Sequence, residues 1–151
     1  MRLSELQEQV LNIETRYTGE GERLSAQVDN LVREIEGLRR RKELQQKAVS
    51  LAAEQLKKYE RLKEQDVTSQ LELDNARSND INQRLSLEGM EQQIISREGI
   101  LSETRFALKG LNVNKERDLS QLRVQISQLE ESRVGLEASH AISCVARLAV
   151  L

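Results

Sequence analysis

Leu73, Leu87, Ile94, Leu101, Leu108, Leu122, Leu129 and Leu136 stand on one seven-residue grid that only Asp80 and Lys115 interrupt. A grid of that period keeps its side chains on one partner only when two helices wrap around each other left-handedly. The chain must therefore spend most of its length as long helices, each buried along a narrow stripe. Composition agrees. Among 151 residues there is no Pro and no Trp, aromatics make up 2%, and charged residues make up 32%. That is too little bulk for an ordinary globular core and too much charge for its surface.

The first half carries the same signal less regularly. Leu3, Leu6, Val10, Ile13 and Tyr17 alternate by three and four residues. After Thr18-Gly19-Glu20-Gly21 the seam resumes at Leu24, Val28, Leu31, Ile35 and Leu38 in another phase. The second half also changes phase, between Leu111 and Leu119, near Gly110, Asn112 and Asn114. Glycines beside a phase change predict a break or kink in each arm, near residues 18–24 and 110–118.

Between the halves, Ser69 is followed three residues later by Glu72, the pattern of a capping box that starts a new helix. A first arm is expected over 1–66, a tip over 67–69 and a returning arm over 70–140, with 141–151 as a tail. So short a connection forces antiparallel neighbours, so the predicted fold class is all-α, a long antiparallel two-helix coiled-coil hairpin turning at Val67. Gly19 and Gly21 precede Val67 by nearly as many residues as Gly110 and Asn114 follow it. At ~1.5 Å per residue the two phase changes meet roughly 70 Å from the turn, where loosened packing is expected.

Chemistry is hard to find. His140 has only Cys144 as a soft neighbour, and two ligands do not make a zinc site. Cys144 has no third group to orient a base. The glycines at 37, 89, 99, 110 and 135 form no phosphate-cradling loop. No enzyme activity, cofactor or metal is expected. The 23 basic and 25 acidic residues are interspersed, which argues against nucleic acid as a partner, and Arg39-Arg40-Arg41-Lys42 reads as a solvated helix face. The start, Met1-Arg2-Leu3-Ser4, carries no signal-peptide pattern, and no window is apolar enough to span a membrane.

The residues around the turn are similar to the hairpin tip of HlyD-like periplasmic adaptors, the membrane fusion proteins. In that family a basic residue is followed by Leu, then by Ser, and often by Glu and Asp. Here Lys58, Leu62, Ser69, Glu72 and Asp74 hold those places, and Arg61 is a second candidate for the basic one. The Leu/Gln/Glu/Arg-rich arms are similar from about Leu3 to Ser143. Lys58 stands where the family has Arg, Asp66 stands where many members have a turn Gly, and the lipoyl-like strand expected after the second arm is replaced by Ala141-Ile142-Ser143-Cys144-Val145. The chain thus reads as the hairpin portion of such a protein, a fragment or a truncated reading frame, with 141–151 a candidate non-native tail.

The resemblance implies a parent in the periplasm, anchored in the inner membrane and assembled as a hexamer. It would link an inner-membrane transporter, through domains missing here, to a TolC-like outer-membrane channel, most in the manner of type I secretion. The implied partner-binding residues at the tip are Lys58, Arg61, Leu62 and Ser69. The alternative is a structural coiled-coil rod with no transport role.

Overall fold

A computed structural model describes residues 2–150. With no Pro to interrupt them, runs of strong helix formers produce two helices, α1 (Arg2–Glu64) and α2 (Gln70–Ala149), joined by residues 65–69. They pack antiparallel as an all-α helical hairpin, and no strand occurs among the described residues. The expected ends of the first arm and of the tail, Met1 and Leu151, lie outside the described residues.

Three expectations need correction. The first arm stops at Glu64 and not at residue 66, because the chain turns there through a C-cap. The returning arm does not stop at 140, since α2 runs through the tail to Ala149. Ala, Val, Leu and Arg are compatible with helix, and nothing in 141–149 breaks it. Nor is either helix broken near 18–24 or 110–118, where helical structure is continuous.

The phase changes are real but are absorbed as stutters within intact helices. Along α1 the shielded positions run Leu3, Leu6, Val10, Ile13, Tyr17, Gly21, Leu24, Val28, with two four-residue steps in succession around Tyr17. Along α2 the same doubling falls at Leu111, Lys115 and Leu119. Such an insertion unwinds a supercoil locally and needs no interrupted backbone hydrogen bond.

Packing resolves into two compact units, one formed by the chain up to Ser25 and from Phe106 onward, the other by Ala26–Arg105. In the first, Leu24, Leu119 and Leu122 are buried. Gly21 faces Leu111, whose Cδ2 would lie 3.7 Å from a Cβ added to the glycine. At the stutter itself Tyr17, Gly21, Leu111 and Lys115 are half-buried, whereas Leu24 and Leu119 on either side are buried, Leu119 to 1% exposed. Tyr17 donates its hydroxyl proton to Asp118 Oδ2 at 2.6 Å. Beyond Leu129 every described residue of α2 is exposed, including Val134, Leu136, Ile142, Val145 and Leu148.

In the second unit, Leu31, Ile35 and Leu101 form a core, flanked by Val28, Val32 and Ile100. Gln45 Nε2 crosses to α2, donating to the Gln83 carbonyl at 2.9 Å and to its Oε1 at 2.8 Å. Three ion pairs bridge the helices: Arg39–Glu98 at 2.5 Å, Lys42–Glu91 at 3.2 Å and Arg97–Glu34 at 3.2 Å. All are largely solvated, so they fix register more than they add stability. Burial of Leu, Ile and Val at about 1.5–3 kcal/mol per side chain is the larger contribution. Leu31 and Leu101 share one cluster, and the register set by the Lys42–Glu91 and Arg97–Glu34 pairs puts buried Ala76 at the height of half-buried Leu56 and buried Asp80 at the height of buried Ala52.

Candidate functional site

The hairpin tip belongs to the Ala26–Arg105 unit and is built by two reciprocal caps. At the end of α1, Val67 N–H donates to the Leu62 carbonyl at 2.9 Å and Asp66 N–H to the Lys63 carbonyl at 3.1 Å. These are the two bonds of a Schellman motif, which satisfies carbonyls that the helix leaves without partners. The motif needs a left-handed residue just past the helix. Asp66 supplies it with φ 53°, the one non-glycine residue at positive φ among those described. Asp tolerates this conformation better than most residues, so the turn needs no glycine here.

The start of α2 is the capping box anticipated from Ser69 and Glu72. Glu72 N–H donates to Ser69 Oγ at 3.2 Å, and Ser69 N–H donates back to Glu72 Oε2 at 3.1 Å. The Thr68 hydroxyl donates to the same carboxylate oxygen. Thr68 was not singled out in the sequence, although a hydroxyl four residues before an acid at a helix start is a readable signal. These donors, Thr68 first and then the Ser69 amide, hold the Glu72 carboxyl below the ordinary glutamate value of 4.5.

A lowered carboxyl value means that the folded tip favours the charged form. Its stabilising effect is complete above the ordinary value and disappears as pH falls through the lowered one. The Ser69 amide resonance is therefore expected to titrate with a midpoint below 4.5, and Glu72→Gln is expected to remove the titration. Ser69→Ala should cost about 1 kcal/mol of stability at neutral pH. A midpoint at or above the ordinary glutamate value would show that the box does not form.

The structure brings the four implied contact residues to one end of the hairpin with different surroundings. Lys58 and Arg61 are exposed on the last two turns of α1, and neither makes an ion pair. Leu62 is half-buried, and its carbonyl serves the cap. Ser69 is exposed but already engaged with Glu72. No hydrogen bond joins Ser69 to Lys58 or Arg61. Val67 and Leu71 add exposed apolar surface that the sequence reading did not include. Two cations, a polar cap and three apolar side chains thus share a short, conformationally fixed turn.

Two further apolar rows flank the same unit. Leu44 and Leu51 on α1 follow Gly37 at seven-residue steps, on the side of the Arg97–Glu34 pair. On α2, Ile95 lies on the other side, by Arg39 and Glu98, Ile81 shares its column two heptads earlier, and Leu85 is exposed on the same helix. The three α2 residues fall between grid positions, which is why a search for the strongest repeat passes over them.

No metal-binding cluster occurs among the described residues, and no helix there is long and apolar enough to cross a membrane. Comparison with known proteins finds no matching family model, no matching curated protein and no matching solved structure.

Proposed function

We propose that this chain is the coiled-coil hairpin of a periplasmic adaptor, docking end-on through its tip to a TolC-like outer-membrane channel in a type I secretion-like system. The observation that carries the reading is a tip pinned by two caps that leaves Lys58 and Arg61 without acidic partners. A fixed turn loses little conformational freedom on binding. Its free cations can take carbonyls or carboxylates at the mouth of a helical duct, while Leu62, Val67 and Leu71 fill apolar notches. Lys58 supplies a point charge and Arg61 a planar fork, so the two are not interchangeable in such a joint.

The flanking rows support lateral assembly of the same hairpin in the parent. One row lies on each side, so contact between neighbours joins unlike surfaces, and repetition of unlike contacts closes a ring when the rotation allows. An inner-membrane transporter would be reached through domains outside the hairpin.

Photocrosslinking from position 67 tests the docking directly. The expected product joins this chain to the outer-membrane duct, and Leu62→Asp or Ser69→Arg should lower its yield at least tenfold, roughly, with helicity unchanged. In an adaptor carrying this hairpin, the same substitutions should stop export. Undiminished crosslinking and export in both variants would leave the structural rod as the better reading.

A further inference from the structure

Among the described residues Asp80 is the one buried charge, 4% exposed, and the register of the two helices puts it at the height of the equally buried Ala52. Its Oδ2 pairs with Arg84 at 3.0 Å, one turn on, and its Oδ1 has no hydrogen-bond partner. An apolar residue would pack this layer at lower cost, because an incompletely paired buried carboxylate is destabilising. The position therefore calls for a reason other than stability.

That reason lies in the grid on which Asp80 stands. A parallel pairing of α2 with a second copy of itself would set Leu87 on Leu87, Ile94 on Ile94 and Leu101 on Leu101, layer after layer of well-matched apolar contacts. Such a pairing is the open rod that competes with the hairpin. At Asp80 it would bury two carboxylates against each other, and at Lys115 two ammonium groups. In the hairpin the same positions meet unlike residues. The register set by the Lys42–Glu91 and Arg97–Glu34 pairs places Asp80 at the height of the small Ala52, and Asp80 pairs with Arg84 on its own helix. Lys115 stands near the height of Tyr17, between the Tyr17–Asp118 bond and the Gly21–Leu111 contact.

We propose that Asp80, with Lys115 as a second and independent element, selects the partner of α2. The two residues make its seam unfit for a second copy of α2 while leaving it fit for α1. The chain thereby gives up some stability in the hairpin to exclude a competing assembly, since specificity is a difference between two pairings and can be gained by harming the wrong one. The proposal does not depend on docking to any channel.

Disulfide trapping in the full chain tests it. With Cys144→Ser in place, Leu87→Cys puts a thiol in the seam, level with Gln45 in the hairpin and opposite its own copy in a parallel pair. Under mild oxidation the disulfide-linked dimer is expected to be scarce in the Asp80 background. It should rise about tenfold with Asp80→Leu, by less with Asp80→Asn, and further when Lys115→Leu is added. In the closed hairpin position 87 is half-buried on the seam side of α2, so lateral contacts through the outer faces of closed hairpins do not set this thiol against its copy. Unchanged dimer yield in Asp80→Leu with helicity intact would overturn the proposal. Loss of helicity in that variant would overturn it as well, because the argument requires an apolar side chain to be accommodated opposite Ala52.

Discussion

Leu119→Ala is expected to lower the stability of the unit formed by the two chain ends by about 2–4 kcal/mol, whereas Leu136→Ala is expected to change it by less than about 0.5 kcal/mol. The grid suggests the opposite. Leu136 stands on the seven-residue repeat, yet it is 71% exposed, beyond the last position that α1 covers. Leu119 stands off the repeat and is 1% exposed, because the stutter of α2 turns it toward the level of Ile13. Truncation there leaves a cavity that neighbouring helix turns cannot close. Urea unfolding combined with amide hydrogen exchange for residues 106–129 would measure both effects. Equal losses in the two variants would mean that α2 does not change phase where the structure shows it.

Ile35→Asp should cost more than about 3 kcal/mol and act on the Ala26–Arg105 unit first. Ile35 is 4% exposed within the cluster of Leu31 and Leu101. A carboxylate introduced there would lose its hydration with Glu34 as its sequence neighbour and no cation placed for it, because Arg97 already pairs with Glu34. Substitution of Asp at Glu36, on the exposed face, is the control and should be nearly silent. Loss of hydrogen-exchange protection across residues 28–38 and 94–104 is the expected signature. Retention of protection there would show that the cluster does not hold this unit together.

Much of the tip was legible because its chemistry is local. Ser69 and Glu72 announce a helix start within four residues, and the structure forms the reciprocal pair they imply. Asp66 occupies the left-handed position that a reversal requires. The exposed apolar rows were less visible. Ile81, Leu85 and Ile95 gain their meaning only after the register of the pairing shows which flank they occupy. The glycines near the phase changes misled in a specific way. Glycine in a helix costs about 1 kcal/mol relative to alanine, which favours a break in an isolated arm. At Gly21 the neighbouring helix fills the space instead, through Leu111.

From the sequence alone came the two long helices, their reversal near Val67 and the stripe that each buries, because period, capping and the absence of proline act over a few residues at a time. The tertiary structure alone decided which leucines are buried, where α2 outruns its cover and that Asp80 sits level with Ala52. Those facts depend on register, and register follows from the turn and from the fit of side chains far apart in the chain, a quantity that no local window contains.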